Sequence, residues 1–199
     1  MKFFKHLKVV LKHKWFVFRY AKKLGIGWLG FIHDLSKFTP NEFFLSVKHF
    51  DGRRSPTIIE RKDHDGFSYI CVRHVGRNKH HWQYWVDFTN DDIVVNRIPF
   101  NRSLEYVADI LSASRVYNPK DFNLMVAYNY FSSHSKYYLM HPANKEFILW
   151  CVKEAHDNGF KSVKKKFTKE KYVEISNKYT NTIIVPLANI GLENFAIKE

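Results

Sequence analysis

The chain has 199 residues, 45% of them hydrophobic and 17% aromatic, with only eight Gly and six Pro. This composition excludes a disordered chain and a many-turned β-sandwich, and fits one folded, helix-rich domain with room for a C-terminal extension. The net charge of +13, from 32 basic and 19 acidic residues, favours phosphate-rich partners or a lysine-rich solvated surface, and says nothing about fold.

Residues 2–23 read as a long first helix, with Phe3, Val9, Val10, Phe16, Val17 and Tyr20 at mixed three-and-four spacing. Lys5, Lys8, Lys12, Lys14 and Arg19 interrupt it too often for a signal core or a spanning segment, which leaves a packed helix or a basic amphipathic helix on a membrane surface. Gly25 and Gly27 punctuate its end, and an apolar second helix over 26–36 runs into the pentapeptide HDLSK. Thr39-Pro40-Asn41-Glu42 has the capping-box pattern for a helix to about His49. Residues 51–65 read as a polar loop, and 67–87 as one or two helices broken around Gly76. The stretch 88–100 reads as a loop or a single strand. Helices follow to about Val116, capped by Asn101 or Ser103, then near 120–132 and 142–157, with Gly159 ending the last. From Lys161 the segment KSVKKKFTKEKYVEISNK is basic and weakly apolar, and TIIVPLANIGL is apolar without period. The expected division is a metal-binding helical domain over 1–158 and, over 159–199, a basic C-terminal helix with an arm packing back on the core. Cys71 and Cys151 sit among apolar residues and form no disulfide framework, which fits a reducing, intracellular, cytoplasmic setting.

Five segments carry chemistry. His33-Asp34 offers an imidazole and a carboxylate from one backbone point, a pairing suited to Mn, Fe, Co, Zn or Mg as the divalent ion. Lys37 follows four residues after His33, placed on a continuing helix to meet an anion at that metal. His74 and His81 lie seven residues apart and share a face if one helix runs through them, with Arg77 and Asn78 on or beside that stripe and Arg73 and His80 nearby. Asp109 sits inside the core-like run LEYVADIL, where a carboxylate needs a cation or a partner, and Glu105 one turn earlier is an alternative ligand or a supporting carboxylate. His13 completes the set from the first helix, with His6 competing on nearly the same face and His141 a later outlier.

The ordered series His13, His33-Asp34, His74, His80/His81, Asp109 resembles the HD-domain superfamily of metal-dependent phosphohydrolases, which are all-helical bundles. HDLSK is similar to the HDxxK form of its phosphodiesterase branches, where the lysine contacts substrate phosphate. The strings LGIGWLGFIHDLSKFTPNEF and HVGRNKHHWQYW also resemble a small uncharacterised HD-like family of bacteria and phages, over about residues 10–150. The adjacent histidine pair is shared with a cyclic-dinucleotide phosphodiesterase branch, but the Gly-Tyr-Pro signature of that branch is absent. The Glu-Asp pair of the guanosine-tetraphosphate hydrolases does not follow HDLSK either.

The resemblance implies an all-α, HD-domain-like bundle that binds one or two metal ions. His13, His33, Asp34 and Asp109 would hold the first, and Asp34 would bridge to a second held by His74, His80 and His81. The implied activity is hydrolysis of a phosphoester, nucleotide or cyclic nucleotide by metal-activated water. Asp34, Lys37 and His80 would be catalytic, and Lys37, Arg73, Arg77 and Asn78 would bind the phosphate. Trp82, Tyr84 and Trp85 are either base-stacking residues or core. Two other readings stay open: a di-iron oxygenase on the same scaffold, and a non-catalytic nucleic-acid-binding protein acting through the basic C-terminal segment at 161–178.

Overall fold

A computed structural model describes residues 2–189 and is mostly helical, with nine α-helices and one three-stranded sheet among those residues. Helix α1, Lys2–Leu24, buries His6, Val10, His13, Val17, Tyr20, Ala21 and Leu24 at three-and-four spacing, so one stripe faces inward along its whole length. Gly25 closes it in the left-handed region (φ 82), where a side chain would be strained. Ile26 N donates to Ala21 O at 2.9 Å and Gly25 N to Lys22 O at 3.2 Å, the paired bonds of a Schellman stop.

Helix α2, Gly27–Ile32, then folds back onto α1. Gly30 makes that approach possible, because a Cβ there would stand 2.4 Å from Ala21 Cβ and 3.1 Å from the Phe18 backbone. Lys14 Nζ reaches across to donate to Phe31 O and His33 O, both at 2.7 Å, placing a cation on the open carbonyl end of α2. The helix expected over 26–36 therefore stops at Ile32. Asp34 adopts a left-handed conformation (φ 52, ψ 32), and a separate 3-10 turn spans Leu35–Phe38.

Helix α3, Pro40–Lys48, begins where expected, but the capping box does not form. Thr39 Oγ1 donates to Ser36 O, and Glu42 is buried elsewhere. The polar stretch expected as a loop holds α4, Pro56–Asp63. Its buried Glu60 accepts from Ser68 Oγ (2.6 Å) and Ile70 N (3.0 Å), and so fixes the start of α5, Tyr69–Val75. Past Gly76 the chain turns and enters a 3-10 segment, Trp82–Trp85, so no continuous helix joins His74 to His81.

A hairpin of β1, Val86–Phe88, and β2, Asp92–Asn96, replaces the expected loop or lone strand, with Val86 opposite Val95 and Phe88 opposite Ile93. Ile93 and Val95 are buried while their neighbours are less so, the alternation of a one-sided strand. Helix α6, Phe100–Tyr117, packs along α1, and α7, Leu124–Ser135, and α8, Pro142–Asp157, complete the bundle. The core gathers Val17, Ala21 and Leu24 of α1, Leu104, Val107 and Leu111 of α6, and Phe147, Ile148 and Cys151 of α8.

The basic tail forms α9, Lys165–Ser176, and β3, Thr182–Pro186, which pairs antiparallel with β2 in the order β1-β2-β3. Buried Val163, Thr168 and Ile175 and the Tyr172 hydroxyl, donating to Ile98 O at 2.6 Å, tie α9 to the bundle. The rest of the expected arm, from Ile190, lies outside the described residues. No described helix is long and apolar enough to cross a membrane.

Candidate metal centre

Five segments deliver the site. His13 comes from the buried stripe of α1, His33 and Asp34 from the break after α2, and His74 from the last turn of α5. His80 and His81 come from the turn before the 3-10 segment, and Glu105 and Asp109 from successive turns of α6. Two ligand groups result, in each of which one candidate ligand atom per residue lies within 4.8 Å of all the others. The first comprises His13, His33, Asp34 and Asp109, and the second Asp34, His74, His80 and His81. A third group, His33, His80 and Glu105, overlaps both.

Asp34 faces both groups with different oxygens. Its Oδ2 lies 3.2 Å from His33 Nε2, whereas Oδ1 lies 3.5 Å from His74 Nε2 and 3.6 Å from His80 Nε2. Asp109 Oδ1 lies 3.1 Å from His13 Nε2 and 3.6 Å from His33 Nε2. Two atoms each about 2.1 Å from one ion, at octahedral or tetrahedral angles, stand roughly 3.0–3.4 Å apart, and the separations here run from 3.1 to 3.6 Å, at or just beyond that range. The donor set of imidazole and carboxylate suits Mn, Fe, Co or Zn better than Mg or Ca, which prefer oxygen alone.

The outward ring nitrogens are already engaged. His33 Nδ1 donates to Glu105 Oε1 at 3.0 Å, and His74 Nδ1 donates to Glu42 Oε1 at 2.8 Å. His80 Nδ1 stands 3.4 Å from the same Glu105 oxygen. Arg102 Nη1 holds the other Glu105 oxygen at 2.6 Å. A carboxylate on Nδ1 leaves the lone pair on Nε2, which is the arrangement that orients imidazole toward a metal. Asn78 Nδ2, 3.2 Å from His74 Nδ1, meets a ring N–H already given to Glu42 and binds His74 O (2.8 Å) and Ser36 Oγ (3.0 Å) instead.

Inside the cluster, Nε2 of His13, His33, His80 and His81 and Oδ1 of Asp34 are buried and have no hydrogen-bond partner. Buried polar atoms are rarely left in that state, and here several converge on one space. Burial opposes ionisation of Asp34 and Asp109, but the neighbouring imidazoles, joined at Asp34 by Lys37, hold both carboxyls well below their usual range. Burial alone would depress His33, yet Asp34, Asp109 and Glu105 lift it well above the ordinary imidazole value. Burial and the adjacent His80 and His74 push His81 well below it. Glu105 falls to about 2, because the bonds from His33 and His80 outweigh its burial.

The cluster opens on one side. The side chains of His33, Asp34, His80 and Glu105 are essentially closed to solvent, whereas those of His13 and Asp109 are 11% and 14% exposed. Lys37, 29% exposed, sits on the same side with Nζ 2.6 Å from Asp34 Oδ2. It reaches that position as i,i+3 through the 3-10 turn, not along a helix from His33.

Of the residues singled out in the sequence, all seven candidate ligands lie in the two groups, and Lys37 and Asn78 lie beside them. Arg73 and Arg77 are exposed, and no hydrogen bond or ion pair ties either to the cluster. His6 is buried against Phe43 and Phe50, outside every group. His141 caps α8, its Nδ1 accepting from Ala143 N and its Nε2 donating to Thr180 O at 3.0 Å. Glu42 was missed as a site residue, because its position three after Thr39 signals a helix cap. Its full burial next to a histidine becomes visible only in three dimensions.

No curated protein and no solved structure matches the chain. A family model does match, over residues 2–154, a stretch that includes every residue of the three ligand groups. The chain accordingly belongs to the family of unknown function DUF5662.

Proposed function

We propose that the protein is a metal-dependent phosphohydrolase of the HD type, acting on a phosphate ester. The observation that carries this reading is the sharing of Asp34 between two histidine-rich groups, one carboxylate oxygen turned toward each. His13, His33, Asp34 and Asp109 would hold one ion, and Asp34, His74, His80 and His81 a second. When bound, divalent cations at such a site polarise a phosphoryl oxygen and acidify water.

The chain's own groups supply the rest. Glu105 and Glu42 bind Nδ1 of His33 and His74 and so aim their Nε2 atoms into the cluster, where a bound cation would take the place of the Nε2 proton on His33. Lys37 stands on the open side with its charge secured: burial opposes it, but Asp34 and Asp109 raise its pKa above the ordinary lysine range. An incoming phosphate meets this ammonium first, and the charge on its non-bridging oxygens is offset there. Asn78, held by Ser36 and His74, keeps the HDLSK turn against α5 and so fixes the distance between the two groups. The same ligand types serve di-iron oxygenases; Lys37 on the open side and the charge of +13 favour an anionic phosphate substrate.

The test is metal content by mass spectrometry and hydrolysis of bis(p-nitrophenyl) phosphate, for the wild type and Asp34→Asn. Asparagine tolerates the left-handed backbone at this position, so the variant removes the shared charge without adding strain. The wild type should carry one to two equivalents of transition metal and release nitrophenol with Mn²⁺, and the variant should lose both properties. A wild type that takes up none of Mn²⁺, Fe²⁺, Co²⁺ or Zn²⁺ refutes the proposal. Metal binding accompanied by oxygen consumption and no phosphoester cleavage would move it to the oxygenase class.

A further inference from the structure

The face of α1 that does not enter the core is divided lengthwise. Phe4, Leu11 and Trp15 fall on one stripe and are 73%, 50% and 57% exposed. Lys5, Lys8 and Lys12 form the stripe beside it, all exposed. A large apolar strip left open to solvent marks an interaction site.

The lysine stripe lines a concavity. A cavity of about 450 Å³ is bounded by Lys2, Lys5 and Lys48 together with Phe50, Asp51 and Gly52. A second, of about 290 Å³, is bounded by Lys5, Lys8 and Lys12 and shares Lys5, Phe50 and Gly52 with the first, so the two form one groove along α1. Among the described residues, none of these five lysines has a carboxylate partner within ion-pair distance. The two carboxylates in the groove wall are occupied: Asp51 accepts from Arg53 N, Arg54 N and Arg54 Nε, and Asp63 from His49 Nδ1. Five lysines against two carboxylates leave the groove with net positive charge. Its second lobe ends at Lys12, the residue before the candidate ligand His13.

We propose that this groove binds a single-stranded oligonucleotide, its phosphates tracking the lysines, its bases stacked on Phe4 and Trp15, and one end delivered to the cluster at His13. This deepens the phosphohydrolase reading by naming its substrate class, and rests on that reading only for what happens at the delivered end. Lys2 to Lys12 spans about 15 Å of helix, the length of roughly four phosphates at stacked spacing. Phe4 and Trp15 stand on the stripe next to the lysines, outside the cavity walls, and a basic track beside exposed aromatic rings is an arrangement that binds single strands without sequence preference. A flat bilayer cannot follow the lysines into a groove. A second copy of this chain would bring five more unpaired lysines against them. The C-terminal lysines fit less well, since Lys171 and Lys178 are already paired with Glu174 and Glu146.

The test is fluorescence anisotropy of a labelled oligothymidylate 12-mer across a salt series, in EDTA, so that the result is independent of metal and turnover. Five lysine contacts at about 0.7 counterions each predict a roughly 130-fold loss of affinity between 50 and 200 mM salt. In Lys5→Ala/Lys8→Ala/Lys12→Ala that loss should shrink to about sevenfold, with affinity at 50 mM lowered as well. Lys161→Ala/Lys166→Ala/Lys169→Ala, removing the same charge from the tail region, should leave the steep dependence in place. Phe4→Ala/Trp15→Ala should weaken the 12-mer about tenfold or more while leaving inorganic polyphosphate binding unchanged. Equal losses in the two lysine triples would overturn the groove. An aromatic double that binds the 12-mer normally would overturn the nucleic-acid assignment. So would an α1 triple that loses only vesicles of anionic phospholipid, which would give the face to a membrane surface. Hydrolysis in the absence of such binding would leave the phosphohydrolase reading intact and end this one.

Discussion

Glu105 offers the sharpest probe of the metal centre because it belongs to neither four-residue group yet touches a histidine of each. One of its oxygens accepts from His33 Nδ1 and lies near His80 Nδ1, while the other is held by Arg102, so a single carboxylate sets the ring orientation of one histidine from each group. Glu105→Gln keeps the volume but must turn one N–H toward either Arg102 or His33. Facing Arg102 it sets donor against donor. Facing His33 it demands a lone pair on Nδ1, which moves the ring proton to Nε2 and removes that atom as a ligand. Loss of such a supporting carboxylate costs about 10–100-fold in metal affinity, or roughly 1.4–2.7 kcal/mol. Competition titration of Mn²⁺ or Zn²⁺ against a chromophoric chelator reads this directly, with circular dichroism to establish that the bundle is intact. Glu42→Gln, which touches only His74, should weaken one equivalent and spare the other. If Glu105→Gln changes affinity less than twofold for every ion bound, the carboxylate does not orient these histidines and the tautomer argument fails.

Other outcomes follow from the same geometry. Gly30→Ala places a methyl against Ala21 and the Phe18 backbone, and should destabilise the fold by about 1–3 kcal/mol in chemical denaturation; an unchanged midpoint would show that α2 is free to move off α1. His6 is held near pKa 4 by burial and by the charge of Lys37, against about 6.5 unfolded, so only the unfolded chain takes up this proton between those values. Stability should therefore be unaffected by His6 above pH 6.5 and fall as pH drops toward 4, by at most about 3 kcal/mol, and His6→Leu should flatten that slope in urea melts. His141→Ala removes a helix cap and the bond to Thr180 O, and should cost about 1–2 kcal/mol while leaving metal content unchanged; loss of metal would place His141 in the site.

The candidate ligand histidines and aspartates are legible in the sequence because a helical core has little use for a polar residue that lacks a partner, and Asp109 within LEYVADIL shows that conflict plainly. The helices themselves were legible from apolar period, α1 and α8 nearly to the residue. What failed was continuity. Nothing in HDLSK marks Asp34 as left-handed, so apolar period carries the second helix through it, whereas the break expected around Gly76 does occur and separates His74 from His81. The two rings do meet, 4.7 Å apart, but through a turn. The sheet was missed because β1 and β2 are short and the third strand arrives from far along the chain. Pairing at that separation leaves no local pattern. Glu42 marks the boundary of sequence reasoning: a carboxylate supporting a histidine looks like any helix carboxylate until burial is known, and Glu105 stands out only because Asp109 lies one turn beyond it.

The β2–β3 pairing bears on how this protein can be divided. The family match ends at residue 154, inside α8, so a chain cut at its limit loses β3 and the whole of α9. The hydrogen bonds that β2 makes to Thr182–Pro186 would then have no acceptor or donor, leaving Asp92–Asn96 as a raw edge in which Ile93 and Val95 lose their cover. An unprotected edge of β-branched residues recruits other strands, so the shortened protein should associate with itself through that edge. All the candidate metal ligands would still be present in such a fragment, yet it would be prone to aggregate for a reason unrelated to metal.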